Sequence, residues 1–204
     1  MKKLLFGVLI MILAVFAVLS GTGNDSEASL QEGIADKIIR FHVLANSDSE
    51  EDQQLKLKVK EHVVASIEPM IAGADSVEEV RSILSQHLED IEAAAVEVME
   101  QEGVVYPVQA SLTNCYFPVK TYGEFTFPDG EYEALQVVIG EGQGKNWWCV
   151  MYPRLCFVDS LYSVVPEKSK KELKQELTDE EYEAILDGKR KVKIKSRLLE
   201  LLGF

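Results

Sequence analysis

A change of apolar period at Gly103 limits the folds open to this chain. Before it, apolar residues recur at helical spacing; from Val104 onward they cluster as they do in strands. Leu55, Val59, Val63, Ile67 and Ile71 step by four and predict one stripe on a long helix. Val77, Val80, Leu84, Leu88, Ile91, Ala95 and Val98 step by three or four, predicting a second helix that starts at Asp75 or Ser76 and is ended by Gly103. Ahead of both, Lys37 to Ala45 is β-branched and aromatic, a strand stopped by Asn46. After the switch, Tyr106 to Val119, Phe125 to Phe127, Tyr132 to Ile139 and Trp147 to Tyr152 read as strands. Pro128, Asp129, Gly130 and Glu131 suit a turn that would join the second and third of these as a hairpin. Residues 159–170 read as irregular. Helical patterns resume over Lys171 to Leu177 and Thr178 to Leu186, with Thr178 and Glu181 at capping-box spacing. The expected fold is α+β: a single mixed or antiparallel sheet with two long amphipathic helices packed on it, plus C-terminal helical segments.

The first residues are of another kind. Met1, Lys2 and Lys3 precede an apolar run from Leu4 to Leu19, short of the roughly 20 residues a helix needs to cross a bilayer. Ser20, Gly21, Thr22 and Gly23 follow, the pattern of a secretory signal, with an uncleaved N-terminal anchor as the competing reading. No Cys follows the run, which argues against a lipoprotein anchor. Residues 1–23 are thus a signal or anchor, 24–33 a polar linker, and 34–204 a single exported domain. With 34 Asp and Glu against 21 Lys and Arg, the 204-residue chain carries a net charge of −13, a poor nucleic-acid binder.

Candidate site residues fall in four places. Asp48, Glu50, Glu51 and Asp52 form an acidic cluster lacking the spacing of a calcium loop. At the start of a helix they meet the positive end of its dipole, Ser47 or Asp48 can cap it, and the other reading is a partner-facing epitope. Trp147 and Trp148 are adjacent, so on a strand they point to opposite faces, and one is a candidate binding anchor. Lys191, Lys193 and Lys195 belong to a basic stretch leading into an apolar C-terminus, fit either for contact with an anionic membrane or acidic protein surface, or for an edge strand. Cys149 and Cys156 flank Tyr152 and Pro153, a segment able to turn back, and are a disulfide candidate that leaves Cys115 unpaired.

Catalytic signals are sparse. The histidines are His42, His62 and His87, and no H-E-x-x-H, G-x-S-x-G or zinc-spaced Cys motif appears. Gly144 and Lys145 lack the other residues of a phosphate loop. No catalytic residue, metal or cofactor is assigned.

Three blocks carry a family resemblance. The first runs from Arg40, Phe41, His42, Val43, Leu44, Ala45, Asn46, Ser47 and Asp48 through Asp52 to Lys60. The second comprises Phe117 to Gly123 and Gly130 to Leu135. The third runs from Gly140 to Val150, including Asn146, Trp147, Trp148 and Cys149, and closes at Tyr152 to Phe157. In these blocks the chain resembles the stage II sporulation protein R family. The resemblance implies a signalling protein, made in the forespore and exported into the space between forespore and mother cell. There it would activate a membrane-embedded aspartic peptidase that processes the precursor of the mother-cell factor sigma-E. It supplies no catalytic residues. The rivals from other classes are a secreted hydrolase of cell wall or peptides built on His42 and nearby acids, and a structural protein of the spore envelope.

Overall fold

A computed structural model describes residues 28–156 and 165–186. Residues 1–23 and the basic residues Lys191, Lys193 and Lys195 lie outside the described residues. The fold is α+β.

The described residues begin in a helix over 28–35 (α1), so the later part of the polar stretch read as a linker is helical, and Ile34 is buried. Strand β1 (Ile39–Leu44) leads through a short loop to α2 (Glu50–Ile71). The cap of α2 is Ser49, one residue beyond the expected pair; its side chain accepts from the Asp52 amide at 3.2 Å. All five stripe residues of α2 are buried, and each such side chain is worth roughly 1.5–3 kcal/mol. The expected second helix is two, α3 (Val77–Gln86) and α4 (Leu88–Gln101), broken at His87, whose φ of −117° and ψ of 20° leave helical space. The break re-aims the stripe, and Leu84 and Ile91 on either side are both fully buried. Gly103 at φ 70° then ends α4, with Val104 donating back to the Met99 carbonyl at 2.9 Å.

The second half supplies β2 (Val108–Phe117), β3 (Lys120–Tyr122), β4 (Phe125–Phe127), β5 (Gly130–Ile139) and β6 (Asn146–Tyr152), then α5 (Glu167–Glu176) and α6 (Asp179–Leu186). Four strands form one mixed sheet in the order β2-β5-β1-β6; β1 is parallel to β5 and antiparallel to β6, and β2 is antiparallel to β5. The hairpin expected around Pro128 to Glu131 does not form. Instead β4 pairs with β3 across a turn at Gly123, φ 57°, while β5 takes β2 as its partner, Phe117 opposite Gly130. The reason is burial: Phe125 and Phe127 both point inward, which lays the β3–β4 ribbon over the sheet.

Alternation along the strands therefore feeds two cores. Helices α2, α3 and α4 cover the face carrying Phe41, Val43, Leu135 and Val137. The ribbon, α1, α5 and α6 cover part of the other face, around Phe117, Tyr132 and Val150. Thr178 caps α6 as the spacing predicts: the Glu181 amide donates to its hydroxyl, and the Thr178 amide donates to the Glu181 carboxylate at 2.7 Å. Where β6 turns towards α5, the buried Arg154 pairs with Glu172 and donates to the last carbonyls of α2, Ile71 and Ala72. No helix among the described residues is long and apolar enough to cross a membrane.

Candidate functional site

The first and third blocks meet at one end of the sheet, and the second lies at the other, where Phe117 is opposite Gly130. The loop after β1 and the loop between β5 and β6 are bound to each other by main chain and side chain alike. Gly144 donates to the Ala45 carbonyl at 2.9 Å and Gln143 to that of Asn46 at 3.2 Å. The Asn46 side chain spans the gap, accepting from the Glu141 amide at 3.0 Å and donating to Asp52 at 2.8 Å. Asp48 accepts from the Lys145 amide at 2.7 Å, and the Lys56 ammonium donates to the Lys145 carbonyl at 3.0 Å. Gly140 and Gly144 are required by this approach: a Cβ on the first would strike the Asn46 amide, and on the second the Ser47 carbonyl.

The acidic cluster therefore divides. Asp52 is buried and takes hydrogen bonds from the Ser47 hydroxyl at 2.6 Å and from Asn46; these hold its carboxyl below the usual range. Asp48 is committed to the loop–loop contact through one oxygen. Glu50 and Glu51, in the first turn of α2, face solvent.

Trp147 and Trp148 leave β6 on opposite faces, as adjacency requires, and both are half-buried. Trp147 meets Phe41 edge-on at 5.7 Å on the helical side, with the Lys60 ammonium 5.0 Å over its ring. Trp148 stacks on the His42 imidazole at 4.9 Å and meets Phe117 at 4.6 Å. Cys149 and Cys156 form the disulfide the sequence suggested, their Cα atoms 5.4 Å apart, and Cys115 is free and half-buried.

Two features were not read from the sequence. Arg40 is fully buried against Phe117, Tyr122, Phe127 and Tyr132, its guanidinium carbon 4.4 Å from the Phe117 centroid. Its Nε donates to the Cys149 carbonyl at 3.2 Å, while Nη1 has no partner among the described residues. The one available signal was a cation alternating with His42 in a strand whose other residues are apolar.

The second feature is a polar cluster around the buried His42, on the sheet face opposite α2. His42 Nδ1 lies 3.1 Å from Asn146 Oδ1, and its Nε2 lies 3.0 Å from the Gln136 amide nitrogen and 3.4 Å from Cys115 Sγ. With the imidazole proton on Nδ1 and donated to Asn146, Nε2 accepts from Gln136 and faces the thiol. A thiol, an imidazole and an orienting amide are the parts of a nucleophilic site. The environment works against ionising them: burial pushes the Cys115 thiol up to about 11, with Glu131 adding to the rise. Burial also lowers the His42 pKa, against the hydrogen bond to Asn146, and the nearby Arg40 cation lowers it further. The pair is held as neutral thiol and neutral imidazole. Among the described residues no group of three or more His, Cys, Asp or Glu side chains gathers to hold a metal ion.

The His42 shift makes stability depend on pH. Because the folded pKa is lowered, the unfolded chain takes up the proton first. The contribution is complete above the ordinary imidazole value of about 6.5 and is lost as pH falls through the folded value. Urea midpoints at pH 7 and pH 5 are expected to differ more for the native chain than for His42→Gln. Equal differences would mean that the ring titrates as in the unfolded chain.

A curated protein from Bacillus subtilis (strain 168), stage II sporulation protein R, is 36% identical to this chain over 198 residues, covering 95% of this chain and 88% of its own length. No solved structure matches. The family described as Stage II sporulation protein R (spore_II_R) matches residues 35–162, which contain β1, the interlocked loops, both tryptophans and the disulfide. The chain therefore belongs to the stage II sporulation protein R family.

Proposed function

We propose that this protein is an exported sporulation signal that acts by binding, and that it activates a membrane-embedded aspartic peptidase which processes the precursor of mother-cell sigma-E. The observation that carries the reading is family membership over almost the whole chain. The site's chemistry agrees with a binding role: the polar groups named at the interlocked loops are engaged in holding those loops together, leaving Glu50 and Glu51 facing solvent beside them. The apolar run from Leu4 to Leu19 serves export across the forespore membrane, and the basic stretch at Lys191, Lys193 and Lys195 offers a contact to an anionic membrane surface. To move the peptidase from one active molecule in a hundred to nearly all active, the chain must bind the active state about 10⁴-fold more tightly.

The test is reconstitution in non-sporulating cells. The chain is co-expressed with the membrane peptidase and the sigma precursor, with and without residues 1–23, and precursor length is followed. Processing that needs both the chain and its export segment is the expected result. Absence of processing, with the chain exported and folded, would sink the proposal.

A hydrolase reading draws on the Cys115, His42 and Asn146 geometry. General base catalysis by His42 would supply roughly 10²–10⁴ in rate. A binding protein is expected to keep processing within about twofold of native in His42→Gln and Cys115→Ser. A fall of 10²-fold in both, with melting unchanged, would favour the hydrolase.

A further inference from the structure

Strand β2 is one edge of the four-stranded sheet. Its register with β5 is unbroken from Val108 opposite Ile139 to Phe117 opposite Gly130. The Ala110 amide donates to the Glu92 carboxylate at 2.8 Å, so the backbone groups of Ala110 point away from β5. The same parity turns the N–H and C=O groups of Leu112, Asn114 and Tyr116 off the sheet, and none of them has a partner among the described residues. Unprotected edges of this length are unusual, because proteins blunt them with Pro, charge, bulges or a covering element. β2 has no Pro and no charged residue over its ten positions, in a chain of which 27% is charged. Thr113 and Asn114 are exposed, and Tyr116 is 55% exposed.

Beside the middle, Glu133 lies opposite Asn114 and is paired with Arg81 at 2.7 Å, so the carboxylates without a cationic partner among the described residues stand at the two ends instead. Glu92 caps Ala110 at one end. At the other, Asp129 accepts from the Tyr116 hydroxyl at 2.5 Å, and Glu131 lies opposite Tyr116 in the register. We propose that this edge is where an extended segment of the partner protein docks, adding a fifth strand through the backbone of Leu112, Asn114 and Tyr116. The segment is uncharged in its middle and carries Lys or Arg towards its ends, where the carboxylates of Glu92, Asp129 and Glu131 receive them. A second copy of this chain fits poorly, because antiparallel pairing of two β2 edges would bring Glu92 of each towards Asp129 and Glu131 of the other. The inference rests on the binding role proposed above and names the surface that performs it.

Two measurements test it. In the isolated full chain, amide exchange is expected to be fast at Leu112, Asn114 and Tyr116 and slow at Ser111, Thr113 and Cys115, which point to β5. Protection of the first three would show the edge already occupied, by residues 187–204 or by a second copy, and would overturn the proposal. In the reconstituted cells, Asn114→Pro removes an outward N–H that the fold does not use and blocks strand addition. Processing is expected to fall at least tenfold in Asn114→Pro and to be unchanged in Asn114→Ala, with both melting close to native. Native-level processing by a folded Asn114→Pro would overturn the edge alone, whereas no processing by the native chain would count against the binding role itself. Should Asn114→Pro fail to fold, the double variant Asp129→Lys, Glu131→Lys is the second probe. A salt-dependent loss of processing is expected from it, and native processing overturns the proposal.

Discussion

Glu172→Ala is expected to lower the free energy of unfolding by about 3–5 kcal/mol, read as a fall in the urea midpoint. The size comes from what it strands. Arg154 is 9% exposed and Glu172 7%, so removing the carboxylate leaves a buried guanidinium without a counter-charge. The damage would spread through three elements. Glu172 also accepts from the Arg154 backbone amide at 3.2 Å, Ser169 donates to the Arg154 carbonyl at 2.6 Å, and Tyr152 donates to Glu176 at 2.9 Å, so the Arg154–Glu172 pair lies at the centre of the contact that holds α5 to the end of β6. α2 has no basic residue in its last turn, and Arg154 fills that role for the Ile71 and Ala72 carbonyls. The double variant Arg154→Met, Glu172→Leu is expected to recover most of the loss, since two apolar side chains of similar volume remove both buried charges together. A single variant that unfolds at the native midpoint would mean that water reaches the stranded guanidinium.

Gly144→Ala is expected to cost about 2–4 kcal/mol and to loosen the interlocked loops. The added methyl would fall on the Ser47 carbonyl and against the Ala45 Cβ, both on the opposing loop. Relief requires the loops to part, which sacrifices the bonds from Gly144 to Ala45, from Gln143 to Asn46 and from Lys145 to Asp48. Gly73→Ala is the matched control, because nothing lies within 4 Å of the Cβ it would add. There the smaller entropy of the unfolded chain should make the substitution neutral or stabilising by up to about 1 kcal/mol. Equal midpoints for the two variants would place the glycine requirement elsewhere than in loop contact.

Local pattern revealed what local physics determines. The α2 stripe, the Thr178 cap, the Gly103 stop and the opposed tryptophans follow from spacing of three, four or two and from backbone geometry at single residues. The pairing of β1 with β5 does not, because nothing in Ile39 to Leu44 encodes a partner so distant in the chain. Nor does the burial of Arg40: alternation placed it on the polar side of its strand with His42, and only the folding-over of the β3–β4 ribbon encloses it. The hairpin expected at Gly130 had sound turn residues and lost to the burial of Phe125 and Phe127 on another layer. The family blocks marked the interlocked loops, but spacing alone gave no sign that Asn46 and Glu141 touch. The cluster of His42, Cys115 and Asn146 was invisible for the same reason, as its members come from three strands.

The place of β1 in the sheet has a consequence for how the chain acquires its structure. His42 and Gln136 are 94 positions apart, yet their strands lie side by side, and the other neighbour of β1 arrives later still. Chains leave the ribosome N-terminus first. The central strand is thus made long before either strand that flanks it. The α2, α3 and α4 segments can coil early on local contacts, but their stripes have no sheet to cover until β5 and β6 have been synthesised. Maturation is in this sense a late closure: a chain cut short before Gly130, where β5 begins, would leave a greasy three-helix layer without its floor, because β1 and β2 are joined only through β5. Quality control by proteases and holding chaperones should therefore treat such truncations as a distinct, aggregation-prone class, separate from substitutions that leave the sheet complete.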